Sequence, residues 1–126
     1  MLVIQSVYQS LVFDLQSDAQ VDELLKSMYN VLAAEKNPIE ENKILKDEIG
    51  YWLEGRSLTK KFDYPSAKSQ LMNAVRENPN NPALYYEMAR IYIQMGKTSE
   101  YNYALALDQL ESMLQIDSSR GDFAKF

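Results

Sequence analysis

Tyr85-Tyr86-Glu87-Met88-Ala89-Arg90-Ile91-Tyr92 places Tyr85, Met88, Ala89 and Tyr92 at three- and four-residue steps, a large–large–small–large set on one helix face. Thirty-four residues upstream, Tyr51, Gly55 and Arg56 stand where Tyr85, Ala89 and Arg90 stand here. Between the two sets come Ala67, Leu71 and Ala74, and Pro79 closes the interval. A unit of this length holding two helices predicts hairpins stacked side by side, with small residues where the helices cross.

Working outward, every segment reads as helix and none alternates like a strand. Leu2, Val3, Val7, Tyr8, Leu11, Val12 and Leu15 give a first helix near 2–16. Ser17 or Asp18 caps a second, whose stripe is Val21, Leu24, Leu25, Met28 and Leu32 and which ends before Pro38. Pro38, Glu40 and Glu41 suit the first turn of a third helix that runs to about Lys61. Asp63-Tyr64-Pro65 stops it and starts the fourth. Asn78-Pro79-Asn80-Asn81-Pro82 is a dense turn signal, and the fifth helix runs from Pro82 to Gly96. The sixth spans about Ser99–Asp117, with Tyr103, Ala106, Leu107, Leu110, Met113 and Leu114 inward. The expected fold is all-α: about six helices in three antiparallel hairpins, forming a short right-handed solenoid. One domain, 1–126, comprises an atypical N-terminal hairpin (1–37), two repeat units (38–118) and a flexible tail (119–126).

Composition narrows the chemistry. The 126 residues hold no cysteine and no histidine, which removes disulfides, the usual zinc ligand sets and Ser–His or Cys–His pairs. No cofactor or metal is expected, and the chain is not expected to be an enzyme. A net charge of −5 argues against nucleic acid and anionic lipid as partners. No apolar stretch reaches the roughly 20 residues of a membrane span. Met1–Leu15 lacks a basic start and contains Asp14, so it reads as a helix rather than an export signal, which favours the cytoplasm.

Over roughly residues 48–118 the pattern resembles the tetratricopeptide repeat. In the first unit Tyr51, Gly55 and Leu58 fit, with Glu54 where a leucine is usual; Ala67, Leu71, Ala74 and Pro79 fit its second helix. In the second unit the later helix begins five residues late, because the connection within Lys97–Leu105 is enlarged. Ser17, Gln20 and Val21, one period before the first set, do not match. The resemblance implies a superhelix whose concave face binds a peptide or helix. It places Trp52, Leu53, Arg56, Lys60, Tyr86, Glu87, Arg90 and Ile93 on that face. Aromatic residues and arginine are favoured at binding hot spots, and arginine holds a carboxylate by two parallel bonds. The groove therefore suits an acidic segment or a C-terminal carboxylate. Some family members clamp chaperone tails with Lys, Asn and Arg; Trp52, Arg56 and Glu87 stand at those positions here, so that clamp is absent.

The same residues have a plainer reading, in which Arg56 pairs with Glu87 and Trp52 packs as core. Asp18, Asp22-Glu23, Glu40-Glu41 and Asp47-Glu48 read as solvated first turns and helix exteriors. The expected function is a non-catalytic module for a protein or peptide partner. The alternative is an assembly or secretion chaperone that sheaths an aggregation-prone client. With nothing after 118 to cover the last hairpin, self-association into a homo-oligomer, or continuation into a longer array, is also expected.

Overall fold

A computed structural model describes residues 18–96 and 100–116. Five helices account for these: α1 (Asp18–Ala33), α2 (Glu40–Lys60), α3 (Tyr64–Glu77), α4 (Pro82–Met95) and α5 (Glu100–Ile116). There is no strand among the described residues. The helix expected near 2–16 and the tail from 119 lie outside them.

Local chemistry sets the helix ends. Asp63 caps α3 by accepting from the Ser66 amide at 3.4 Å, with Pro65 in the first turn. Asn81 caps α4 through the Ala83 amide at 3.0 Å, and Pro82 follows at the position where a missing N–H costs nothing. α2 has no side-chain cap; the Ile39 carbonyl takes the Asn42 and Lys43 amides, and Glu40 and Glu41 face the positive helix end.

The α2–α3 corner is a Schellman closure in an unusual residue. Asp63 N–H reaches the Leu58 carbonyl and Phe62 N–H the Thr59 carbonyl, each at 3.0 Å. That geometry needs a left-handed residue, and Phe62 supplies it at φ 63° although glycine is the usual occupant. The Phe62 ring is 77% exposed and meets Tyr64 edge-on, with centroids 6.4 Å apart, so little burial offsets the strain. Phe62→Gly is expected to raise stability by ~1 kcal/mol, read as a melting temperature a few degrees higher.

α2 packs along α3 and α4 along α5, while α3 meets α4 and α1 lies on α2. The small residues do sit at the crossings. A Cβ on Gly55 would fall 2.8 Å from Leu71 Cγ and 3.3 Å from the Ala67 carbonyl, and Ala67, Ala74 and Ala89 are buried. Around them Leu25, Leu45, Ile49, Leu71, Leu84, Ile91 and Met113 form one core. α5 departs from its expected stripe. Ala106 and Met113 are buried, but Tyr103 and Leu107 are exposed, because among the described helices α5 packs mainly on α4, which covers only part of a wide apolar face.

Glu48 also departs from the sequence reading. It is fully buried on α2 and accepts from Asn81 Nδ2 at 2.6 Å and Asn78 Nδ2 at 3.2 Å. This carboxylate ties the α3–α4 turn to the middle of α2. Glu48→Ala would leave both amides short of a buried acceptor, and a loss of ~2–4 kcal/mol is expected in urea denaturation.

Candidate functional site

α2 and α4 lie as like-oriented neighbours: Glu48 bonds Asn81 at the start of α4, and Trp52 and Arg56, later in α2, both bond Glu87 further along it. α1 runs the other way. Its Asp18 and Asp22 meet Arg56 and Lys60 late in α2, while Tyr29 touches Gly50 and Glu35 bonds Asn42 near its start.

Arg56 is the hub of what these three helices bring together. Its Nε donates to Asp22 Oδ1 at 2.6 Å, Nη1 to Glu87 Oε2 at 2.5 Å, and Nη2 to Asp18 Oδ1 at 3.0 Å and to the Asp18 carbonyl at 3.3 Å. Glu87 Oε2 also accepts from Trp52 Nε1 at 3.0 Å. Arg90 donates through Nη1 to Glu87 Oε1 at 3.3 Å and to Asp18 Oδ1 at 3.2 Å, and through Nη2 to Asp18 Oδ2 at 3.4 Å. Lys60 Nζ donates to Asp22 Oδ2. Three cations thus face three carboxylates, so the buried charges are matched and hydrogen-bonded.

The electrostatics follow. Burial alone would lower the Arg56 pKa, but Glu87 and Asp22 overcome it and hold the group above its ordinary value, so it stays charged. The Arg90 hydrogen bond draws the Asp18 carboxyl below its usual range, with Arg56 adding to it. Desolvation works to raise Asp22, yet Lys60 and Arg56 together pull it below the usual range. A carboxylate with a depressed folded pKa contributes stability that is complete above its unfolded value and is lost as pH falls through the folded one. Stability is therefore expected to be level from pH 7 to pH 5 and to fall below the ordinary Asp value of 3.8. The groups facing Asp18 and Asp22 are the cations Arg56, Lys60 and Arg90. A melting-temperature series against pH checks this, and Asp22→Asn should flatten the acid limb.

The eight residues expected on the groove divide by depth. Trp52 is 0% exposed, Arg56 7% and Glu87 8%, so these three lie beneath the surface. Leu53 and Tyr86 are half-buried. Lys60 is exposed, as are Arg90 with 45% of its side chain and Ile93 at 43%. Arg56 does pair with Glu87 and Trp52 does pack as core, but the face is not simply solvated, because α1 lies over it. Asp18 stays exposed as read and Asp22 is buried, but the pairing of both with this face is what the sequence reading missed. Their signal was a spacing: two aspartates four apart on one helix match Arg56 and Lys60 four apart on another.

A cavity of about 50 Å³ lies among Asp18, Arg56, Glu87 and Arg90, room for water rather than for a substrate. At the far end of α1 a more open recess of about 330 Å³ is walled by Met28, Val31, Leu32 and Leu45. Asn42 borders it, with Nδ2 on Glu35 and its buried Oδ1 unpartnered. Among the described residues no cluster of acidic, His or Cys side chains is placed to hold a metal ion. No helix among them is long and apolar enough to cross a membrane.

Helices packed in adjacent pairs, with small residues where α2 crosses α3 and with α2 and α4 like-oriented, make a helical-hairpin repeat. The family model for the tetratricopeptide repeat matches residues 58–100. The match runs from the end of α2 through α3 and α4. No curated protein and no solved structure matches the chain.

Proposed function

We propose that the chain is a non-catalytic interaction module that holds an acidic helix or peptide on the α2–α4 face. Arg90, Lys60 and Ile93 supply the exposed contacts, Leu53 and Tyr86 flank them, and Trp52, Arg56 and Glu87 form the rigid floor. One observation carries this reading: Asp18 accepts from Arg56 and Arg90 together, the equivalent arginines of successive repeat units. The face therefore has the spacing and charge to hold a carboxylate across both units. Protein recognition also agrees with the repeat sequence at 58–100.

The test uses Arg90, because its side chain is 45% exposed and its loss leaves the buried Arg56 pairs intact. Binding of the full chain to a synthetic acidic helical peptide is measured by calorimetry, beside a peptide with its acids changed to lysine. Arg90→Glu is expected to weaken binding of the acidic peptide at least about tenfold, since like charges then face each other. Equal affinity of wild type and Arg90→Glu, or equal binding of both peptides, would remove the proposal.

A further inference from the structure

The helix that covers the face is not one of the repeat's own helices. One period before Tyr51, Glu54 and Gly55 the chain has Ser17, Gln20 and Val21, so α1 carries no copy of the repeat pattern. It nevertheless spans both units, with Asp18 on Arg56 of α2 and Arg90 of α4, and Asp22 on Arg56 and Lys60. Val21 and Leu25, each three residues after one of these aspartates, are buried beside them. α1 thus sits on the face as a bound acidic helix would.

Its seating is uneven. The Asp18–Asp22 end is fixed by ion pairs, whereas the Met28–Leu32 end stands over the recess of about 330 Å³. There Val31 is exposed and the Asn42 Oδ1 is buried without a partner. α1 adds Val21 and Leu25 to the core, yet it meets α2 far less extensively than α3 does, so its release disturbs less packing than opening either repeat hairpin.

We infer that α1 is a displaceable occupant of the α2–α4 face, and that the partner replacing it is an acidic amphipathic helix of the same chemistry. That partner carries two carboxylates one helical turn apart, each followed three residues later by an apolar side chain. The Asp pair meets Arg56, Lys60 and Arg90, and the apolar residues replace Val21 and Leu25. This rests on the proposed function and adds the partner's pattern and its competition with α1. A partner must outcompete a tethered segment, so its apparent affinity falls by the fraction of molecules in which α1 is seated.

The experiment uses the full chain and a synthetic peptide with the Asp18–Ala33 sequence, beside the same peptide with both aspartates changed to asparagine. The full-chain double variant Asp18→Asn, Asp22→Asn removes the carboxylates that seat α1, while every residue of α2 and α4 and the Arg56–Glu87 pair are kept. It is expected to bind the acidic peptide at least about tenfold more tightly than wild type, and neither chain binds the asparagine peptide. With excess acidic peptide on wild type, hydrogen exchange should accelerate in α1 while α2 to α5 keep their protection. Equal affinity of the two chains, or binding with α1 still protected, overturns the inference but leaves the face reading standing. Loss of the whole fold in the double variant, with no α1 release in wild type, also overturns it and makes α1 integral. Failure of the acidic peptide to bind either folded chain removes the face reading itself.

Discussion

Arg56→Ala is expected to cost ~3–5 kcal/mol of folding stability, a large share of what a domain of this size possesses. The mutation deletes one cation and leaves Asp22 and Glu87 buried beside it, since Asp22 and Glu87 are as deeply covered as Arg56. Lys60 still reaches Asp22 and Arg90 still reaches Glu87, so neither carboxylate is wholly orphaned. Both of those cations lie near solvent and are weaker partners than a desolvated guanidinium. Urea denaturation followed by circular dichroism reads the loss as a lower midpoint. Arg56→Lys is expected to recover only part of it, because a single ammonium cannot serve Asp18, Asp22 and Glu87 through a planar fork. An Arg56 variant that denatures like wild type would show that the network stabilises little. Weak partner binding by an Arg56 variant consequently speaks of folding as much as of recognition, which is why Arg90 carries the binding test.

Trp52→Ala carries an effect of the same size for a different reason. The indole is wholly buried between α2 and α4, and its removal opens a cavity in the core, at ~3–5 kcal/mol. It also takes away the neutral donor that shares Glu87 Oε2 with Arg56. Trp52→Phe separates the two contributions. The ring largely refills the space while the hydrogen bond is lost, so a smaller cost of ~1–2 kcal/mol is expected. If Trp52→Phe proved as damaging as Trp52→Ala, polar pairing rather than packing would dominate at this position.

Much of the fold was legible because its determinants are local. Asp63, Pro65, Asn81, Pro82 and Gly96 mark helix ends by their own backbone preferences, and the observed ends of α3 and α4 fall there. Gly55, Ala67, Ala74 and Ala89 declared the crossings because only small residues fit between closely packed axes. The depth of the site was not legible in the same way. Periodicity tells which residues share a face but not what lies upon that face. Arg56, Trp52 and Glu87 share one, and Asp18 and Asp22 close over Arg56 from α1, a segment outside the repeat register. Glu48 failed for a related reason: an acid beside Asp47 looks solvated until the turn that supplies Asn78 and Asn81 folds back over it. Tyr103 and Leu107 failed in the opposite sense, since an apolar stripe does not say how many neighbours it will meet.

Asp18 has a structural consequence as well. Its single carboxylate stands between guanidiniums from two adjoining hairpins, Arg56 at 3.0 Å and Arg90 at 3.2 Å. Glu87 already bridges the same two guanidiniums from α4, so Asp18 adds a second, more exposed counterion between like charges. The first turn of α1 thereby touches both hairpins at the point where their equivalent arginines meet.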